Sequence, residues 1–198
     1  MIKVIISDLA GVFLNEGVGE LAEYLKNEFG IPEEIMREKF KKNYIEYASR
    51  RTNAEGFWKT FLEDVNVKED WQKMRDFFLN IYEINEKVSN FFEEAKAKGI
   101  KLILLSNQIE DWWEYLNNKF KIESYFDEII VSHLTNTYKP NPDIYEIAIE
   151  VSGVKPEECL FIDDLERNLG PAEKIGIKTL LFENAEKLGN DLRELKII

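Results

Sequence analysis

Near the start of the chain, residues 4–11 read Val4-Ile5-Ile6-Ser7-Asp8-Leu9-Ala10-Gly11. The β-branched run predicts a buried strand with Asp8 at its carboxyl end. A buried carboxylate is costly unless it has a partner, and Gly11 permits a tight turn over the strand end. Because ligands of open α/β sheets bind beyond the carboxyl ends of the strands, we expect the chemistry of this protein at Asp8.

Composition limits the classes of function. The chain has 198 residues, 44% of them hydrophobic, and a formal net charge of −12. Nonspecific nucleic-acid binding and anionic-membrane binding need a surplus of Lys and Arg, so we expect neither. The single cysteine, Cys159, allows no intrachain disulfide and fits a reducing compartment. No apolar run is long enough to span a bilayer, and we expect a cytoplasmic protein.

The periodicity of the apolar residues changes along the chain. Between residues 15 and 84 the apolar residues recur at helical spacing in four segments, which predicts a four-helix bundle. From residue 85 onward helical and strand patterns alternate, with strands expected at 100–105, 128–132, 158–162 and 178–182. Alternating elements of this kind form a parallel sheet through right-handed crossovers, so we predict an α/β fold with the helical bundle inserted after the first strand.

Polar residues follow four of the predicted strands. They are Asp8, Ser106-Asn107, Lys139 and Asp163-Asp164. Taken alone, each is typical of a turn or a helix cap. Adjacent carboxylates repel each other unless a cation or a donor neutralises them, and all four groups fall at one edge of a parallel sheet. We therefore expect them to converge on one site.

The residue types at this edge suit phosphoryl chemistry. Carboxylates such as Asp8, Asp163 and Asp164 are the hard oxygen ligands that Mg²⁺ takes together with water and substrate phosphate. Lys139 is suited to neutralise the carboxylates and to hold a phosphoryl oxygen. The Ser106 hydroxyl and the Asn107 backbone amide are donors for another oxygen. Asp8 is then left as a nucleophile that forms an aspartyl phosphate.

Four ordered motifs resemble those of the haloacid dehalogenase-like hydrolase superfamily. They are Asp8-Leu9-Ala10-Gly11-Val12, Leu104-Leu105-Ser106-Asn107, Lys139-Pro140-Asn141-Pro142-Asp143-Ile144-Tyr145, and Phe161-Ile162-Asp163-Asp164 with Asn168 and Gly176. The resemblance implies a Rossmann-like core of residues 1–14 and 85–198 with a helical cap of residues 15–84. It also implies that Asp8, Asp164 and the Ala10 carbonyl bind Mg²⁺ directly and Asp163 through water.

Two residues depart from the pattern of the superfamily. Pro171 occupies a position that is often glycine, and we expect it in the first turn of a helix, where proline is tolerated. Ala10 occupies a position where most phosphatases of the superfamily carry a second aspartate, the general acid and base. Loss of such a group costs about 10²–10⁴-fold in rate.

Several activities are compatible with Ala10. The main hypothesis is a slow Mg²⁺-dependent phosphatase acting on a small phosphorylated metabolite. Alternatives are a catalytically weak or inactive member that binds a ligand or a protein, a dehalogenase-like hydrolase, and a phosphonatase-like hydrolase. Haloacid dehalogenases lack the metal and carry Ser-type residues in the fourth motif, which Asp163-Asp164 does not match. Phosphonoacetaldehyde hydrolases need a lysine in the cap. The residues of this chain at the corresponding spacing after Asp8 are Ser49, Arg50 and Arg51, and none of them is a lysine.

Some candidate residues lie outside the four motifs. Arg50 and Arg51 fall in a break between predicted helices and are the candidates for substrate binding in the cap; a solvated charged turn is the alternative. Trp112 and Trp113 are expected either at the entrance of the site or in the core. His133, the only histidine, is either structural or a substitute proton donor.

Overall fold

A computed structural model describes every residue from Met1 to Ile198. Its centre is a five-stranded parallel sheet with the strand order β3-β2-β1-β4-β5. The strands are β1 Val4–Ser7, β2 Lys101–Ser106, β3 Glu128–Val131, β4 Cys159–Asp163 and β5 Lys178–Leu181. All residues of β1 and β4 are buried, as expected for strands covered on both faces. The predicted α/β class with a Rossmann-like sheet is confirmed.

Ten helices accompany the sheet. They are α1 Gly17–Phe29, α2 Glu33–Ala48, α3 Ala54–Asp64, α4 Trp71–Asn80, α5 Glu86–Ala97, α6 Glu110–Phe120, α7 Ser132–Thr135, α8 Pro142–Ser152, α9 Glu166–Lys174 and α10 Ala185–Glu194. Local sequence explains many of their ends. Asn53, for example, accepts a hydrogen bond from the Gly56 N–H at the start of α3, and Gly30 ends α1 in the left-handed region.

The internal contacts separate the chain into two compact units. The core unit consists of residues 1–15, 84–108 and 116–198 and contains the whole sheet, and the helical unit consists of residues 16–83 and 109–115. Residues 109–115, which the predicted division at residue 84 assigned to the core, pack with the helical unit. Helix α6 therefore contributes its first half to one unit and its second half to the other.

Aromatic side chains fill the interior of the helical unit. Trp112, from the first half of α6, packs against rings from α2, α3 and α4, among them Phe40, Phe57 and Phe78. Trp112 and Trp113 are both buried. Of the two expectations for this pair, packing in a core is the one that the structure supports. No helix of the chain combines the length and apolar character needed to cross a membrane.

Two predicted element boundaries were wrong near the sheet edge. Ser132 does not end β3 but begins α7, a short helix that the sequence analysis did not predict. Helix α9 begins at Glu166, earlier than the expected position of Pro171 in a first turn requires, because hydrogen bonds of Asp163 and Asn168 already order the residues at its start. Pro171 is therefore the sixth residue of α9 and lies in its second turn.

The sheet register brings the strand ends to one level. Ser7 of β1 lies opposite Leu104 of β2 and Ile162 of β4. The next residue of β1, Asp8, donates its N–H to the Ile162 carbonyl oxygen at 2.9 Å. Asp8 therefore emerges at the centre of the sheet between the exits of β2 and β4. The alternating pattern predicted the parallel sheet with its strand exits on one edge, but not this strand order.

Candidate active site

Asp8 lies at the carboxyl end of the central strand and is almost buried. Its residue exposure is 7%. The Leu9 N–H donates to Asp8 Oδ1 at 2.6 Å, and the Ser7 hydroxyl donates to the Asp8 carbonyl oxygen at 2.8 Å. The side-chain carboxylate is therefore oriented by the turn that follows β1, with Oδ2 directed to Lys139.

Lys139 joins two of the predicted carboxylates. Its ammonium Nζ lies 2.9 Å from Asp8 Oδ2 and 2.6 Å from Asp163 Oδ2, and its side chain is 1% exposed. Lys139 is separated from Asp8 and Asp163 by 131 and 24 positions in the chain. Asp8 and Asp163 are close because β1 and β4 are neighbours, and Lys139 reaches them from the segment between α7 and α8. A buried ammonium between two carboxylates is the compensation that buried charges require.

The two carboxylates of the fourth motif have different surroundings. Asp163 is completely buried, and its Oδ1 accepts hydrogen bonds from the Leu165 N–H and the Asn168 Nδ2, both at 2.9 Å. Asp164 lies one residue beyond β4 and is half-buried. A Cβ added at Gly11, where φ is +92°, would lie 2.5 Å from Asp164 Oδ2. Glycine at this turn therefore leaves room for the Asp164 carboxylate.

Three carboxylates form a cluster suited to a divalent cation. Oxygens of Asp8, Asp163 and Asp164 all lie within 4.8 Å of one another. Because one lysine neutralises only part of the charge of the three carboxylates, the cluster remains negatively charged when they are ionised. Hard oxygen donors at this spacing fit Mg²⁺, so the residues present are compatible with the metal that the motifs imply.

The environment shifts the pKa values of Asp8 and Lys139. Burial raises the pKa of Asp8 to about 7; Lys139 lowers it in part, and Asp163 raises it further. Burial by itself lowers the pKa of Lys139, but the adjacent carboxylates of Asp8 and Asp163 outweigh burial and hold that pKa above its ordinary value. Lys139 therefore stays charged, whereas a metal-free Asp8 titrates near neutral pH.

The second motif lies at the exit of β2. Ser106 is 1% exposed, and its hydroxyl oxygen accepts a long hydrogen bond of 3.4 Å from Gln108 Nε2. The Asn107 carboxamide is directed to the main chain of Lys139, with which it makes two hydrogen bonds. The predicted convergence of residues at one sheet edge is thus observed for Asp8, Asn107, Lys139, Asp163 and Asp164.

The remaining predicted site residues divide between the two units. Ala10 lies in the turn after β1, where its backbone pairs with Leu14. Arg50 and Arg51 belong to the helical unit and are exposed, and Arg51 is paired with Glu46 at 2.7 Å. His133 lies in α7, and its buried Nδ1 has no hydrogen-bond partner. The roles of these four residues remain predictions.

Three residues that support the site were not predicted from the sequence as part of it. The Ser132 hydroxyl makes two hydrogen bonds with the main chain of Gln108. It accepts from the Gln108 N–H at 3.0 Å and donates to the Gln108 carbonyl oxygen at 3.1 Å. The Tyr145 hydroxyl donates to the Asn168 carbonyl oxygen at 2.7 Å. Tyr145 was part of the third motif, so the motif was a signal for it, whereas no local pattern marks Ser132 or Gln108.

Comparison with known proteins identifies the family. The family model described as "Haloacid dehalogenase-like hydrolase" matches residues 5–182. The chain therefore belongs to the haloacid dehalogenase-like hydrolase family, and the resemblance derived from the four motifs is confirmed. The members of this family are hydrolytic enzymes, and so is this chain.

The relatives include both phosphatases and dehalogenases. Flavin mononucleotide hydrolase 1 of Arabidopsis thaliana is 26% identical over 170 residues, which are 85% of this chain and 69% of that protein. Phosphoglycolate phosphatase of Aquifex aeolicus is 25% identical over 149 residues (75% and 60%). (S)-2-haloacid dehalogenase 4A of Burkholderia cepacia is 25% identical over 166 residues (78% and 72%). The chain thus spans about two thirds of the length of these relatives.

Solved structures share the fold. A haloacid dehalogenase-family enzyme of Bacteroides thetaiotaomicron, in complex with magnesium and inorganic phosphate, superposes with a TM-score of 0.67 and 23% sequence identity. The match covers 91% of this chain and 94% of that one. The sheet with its inserted helices is therefore an architecture that this family uses.

Proposed function

We propose that this chain is a Mg²⁺-dependent phosphatase that hydrolyses a small phosphorylated metabolite through an aspartyl phosphate on Asp8. The observation that carries the proposal is the cluster at the end of β1. The Asp8 carboxylate contacts the Lys139 ammonium at 2.9 Å and lies with Asp163 and Asp164 in a group of oxygens within 4.8 Å. A nucleophilic carboxylate, a fixed cation and a set of hard oxygen ligands are what phosphoryl transfer to a carboxylate requires.

Each residue of the cluster has a role in this proposal. Asp8, Asp164 and the Ala10 carbonyl would hold the metal directly, and Asp163 would hold it through water. Bound Mg²⁺ would neutralise charge on the phosphoryl oxygens and favour the ionised form of Asp8. Lys139, with the Ser106 hydroxyl and the Asn107 backbone amide, donates to the phosphoryl group. Arg50 and Arg51 of the helical cap contact the remainder of the substrate.

The reaction has two steps. A carboxylate oxygen of Asp8 forms a bond to phosphorus while the bond from phosphorus to the leaving oxygen breaks. Water then attacks the phosphorus of the aspartyl phosphate, and inorganic phosphate leaves with Asp8 restored. Ala10 has no proton to give the leaving oxygen in the first step. We therefore propose substrates whose leaving group is stable as an anion, or slow turnover of other esters.

The relatives support the phosphatase proposal. Two of them carry names of enzymes that act on phosphorylated compounds, flavin mononucleotide hydrolase 1 and phosphoglycolate phosphatase. One solved structure of the family contains both magnesium and inorganic phosphate. The net charge of −12 favours a small ligand over a nucleic acid. We also propose a cytoplasmic location, which the single cysteine, Cys159, fits.

The proposal is tested by hydrolysis of p-nitrophenyl phosphate with Mg²⁺ and with a chelator. Wild-type protein should turn over the ester only with Mg²⁺, and Asp8→Asn should lower kcat by about 10³-fold or more, since the nucleophile is lost. Asp143→Asn is the matched control, because Asp143 is an exposed aspartate in the first turn of α8. It should leave the rate unchanged.

A second function is favoured by one relative and by Ala10. (S)-2-haloacid dehalogenase 4A is among the relatives, and dehalogenases resemble this chain in lacking the second aspartate. Halide release from a 2-haloacid in the presence of chelator, lost in Asp8→Asn, would replace the phosphatase proposal. Equal inactivity of wild-type protein and Asp8→Asn across a panel of phosphate esters and 2-haloacids would favour a binding module.

A further inference from the structure

The side chain of Asn107 makes hydrogen bonds with both the main-chain N–H and the carbonyl oxygen of one residue, Lys139. Asn107 Nδ2 donates to the Lys139 carbonyl oxygen at 2.9 Å, and Asn107 Oδ1 accepts from the Lys139 N–H at 2.8 Å. The carboxamide nitrogen and oxygen are thus both engaged with the main chain of a residue 32 positions away. Two bonds to one residue fix its position and its orientation, which a single bond does not.

Lys139 needs such a support. Four flexible methylene groups separate its ammonium from the backbone. The ammonium nevertheless lies 2.9 Å from Asp8 Oδ2 and 2.6 Å from Asp163 Oδ2. The Lys139 side chain is 1% exposed, so surrounding residues enclose it. The position of its ammonium therefore depends on the position of the Lys139 main chain. A shift of the Lys139 main chain would therefore move the ammonium relative to both carboxylates.

A second pair of hydrogen bonds holds Gln108, the residue that follows Asn107. The Ser132 hydroxyl accepts from the Gln108 N–H at 3.0 Å and donates to the Gln108 carbonyl oxygen at 3.1 Å. Ser132 begins α7, directly after β3, and Gln108 directly follows Asn107. Two side chains therefore connect the segment after β2 with the segment after β3. Asn107, after β2, contacts the main chain of Lys139, and Ser132, after β3, contacts the main chain of Gln108.

We propose that Asn107 is a positioning residue, whose carboxamide holds the Lys139 backbone so that the ammonium lies between Asp8 and Asp163. The expected effect of Asn107 on the reaction rate rests on the proposed function, whereas its effect on the position of Lys139 does not. The positioning role differs from the role given to Asn107 above, which used only the backbone amide, and it separates Asn107 from residues whose side chains touch the substrate.

The structural content is tested by the reactivity of Lys139. Wild-type protein is treated briefly with an amine-acetylating reagent, and the acetylation of each lysine is measured by peptide mass spectrometry, with exposed Lys68 as the internal reference. In wild-type protein Lys139 should be protected because it is buried and ion-paired. In Asn107→Ala the acetylation of Lys139 should rise at least fivefold. Unchanged protection in a folded Asn107→Ala protein overturns the proposal.

Two further variants complete the labelling experiment. Asn117→Ala removes a side chain that accepts from the Glu123 N–H at 3.1 Å in the same unit, away from the cluster, and should leave Lys139 protected. If Asn107→Ala does not fold, Asn107→Asp takes its place. The aspartate keeps an acceptor for the Lys139 N–H, but it replaces the donor to the Lys139 carbonyl oxygen with a carboxylate oxygen, which repels that carbonyl oxygen. Acetylation at least twofold above wild type is expected there, and the wild-type level overturns the proposal.

The catalytic consequence is tested by a double-mutant cycle on p-nitrophenyl phosphate hydrolysis. Asn107→Ala should lower kcat by about 10-fold or more, since two hydrogen bonds that hold Lys139 are lost. In a Lys139→Ala background the same change should have almost no further effect, because Asn107 then has no ammonium to position. Additive losses would instead place the carboxamide on the substrate. Labelling still decides the positioning role if the protein shows no phosphatase activity, so failure of the proposed function is distinguishable.

Discussion

Ala10 is the residue that sets the proposed rate. It lies in the turn after β1, two residues beyond the proposed nucleophile, and its side chain is half-exposed. Its backbone pairs with Leu14, and its methyl group supplies no proton. The carboxylate cluster does not use this side chain, because its oxygens come from Asp8, Asp163 and Asp164. Metal binding and proton transfer are therefore separable at the level of single residues.

Replacement of Ala10 by aspartate tests this separation. Ala10→Asp should raise kcat for unactivated alkyl phosphates by about 10²-fold, the lower end of the usual contribution of a general acid. The rise for p-nitrophenyl phosphate should be much smaller, because nitrophenolate leaves without a proton. Steady-state kinetics on both esters measure the difference. Ala48→Asp adds the same charge at an exposed position and should change neither rate. An equal rise for both esters, or no rise, would show that proton donation is not limiting.

At the scale of elements, the turn after β1 and the segment after β4 are packed against each other. The turn is closed by hydrogen bonds from the Leu14 N–H to the Leu9 carbonyl oxygen at 2.7 Å and from the Gly11 N–H to the Leu14 carbonyl oxygen at 2.9 Å. Gly11 faces the Asp164 carboxylate so closely that no Cβ fits between them. The position of Asp164 therefore depends on an element that is 153 residues away in sequence.

Alanine at Gly11 should weaken Mg²⁺ binding. In Gly11→Ala the new Cβ would lie 2.5 Å from Asp164 Oδ2, so the carboxylate must move away from the cluster. We expect the Mg²⁺ dissociation constant to rise at least about tenfold, the effect of losing one good interaction with a charged group, as measured by isothermal titration calorimetry. Gly99→Ala is the matched control, because φ is +84° there and nothing lies within 4 Å of the added Cβ.

The two glycine variants share the cost of a left-handed backbone. Both should therefore be destabilised by about 1–2 kcal/mol, but only Gly11→Ala should lose metal affinity. Equal Mg²⁺ affinity in the two variants would show that the turn does not control the Asp164 carboxylate.

At the scale of the whole molecule, the cluster makes stability depend on pH. The chain has a net charge of −12, and two of the three clustered carboxylates, those of Asp8 and Asp163, are paired with one buried ammonium. The pKa of Asp8 rises from 3.8 to about 7 on folding without metal. A carboxyl group with a raised pKa favours the folded state fully below its unfolded pKa. This contribution is lost as the pH rises through the folded pKa, so the free energy of unfolding should decrease between about pH 4 and pH 7.

Asn at position 8 should remove this dependence. In chelator, the free energy of unfolding of Asp8→Asn should exceed that of wild-type protein at pH 8 by roughly 2 kcal/mol, because no buried carboxylate has to ionise. The difference should be smaller at pH 5. Urea unfolding at both pH values measures it, with Asp143→Asn as the control. Saturating Mg²⁺ at pH 8 should stabilise wild-type protein but not Asp8→Asn. A difference that does not vary between pH 5 and pH 8 would contradict the pKa shift.

Local patterns in the sequence were enough to predict most elements and the edge at which they meet. The β-branched run before Asp8 and the helical spacing between residues 15 and 84 are properties of short segments, and the structure contains the predicted strands and the four inserted helices. Because parallel strands place their carboxyl ends on one edge, four separate motifs already predicted one site. The errors fell where side-chain hydrogen bonds decide the end of an element. At the start of α9 these bonds are local, within residues 163–168, whereas at Ser132 they come from the distant Gln108.

Only the tertiary structure decided which of these groups touch. The placement of β1 beside β4 brings Asp8 close to Asp163 and buries Asp8 enough to raise its pKa, and the segment between α7 and α8 places the Lys139 ammonium between the two carboxylates. It also turned the Asn107 side chain toward the Lys139 backbone. Strand order and burial arise from packing between distant segments, whereas periodicity is read within one segment. The amino-acid sequence therefore determined the residue types at the end of β1, and the fold determined their partners and their charge.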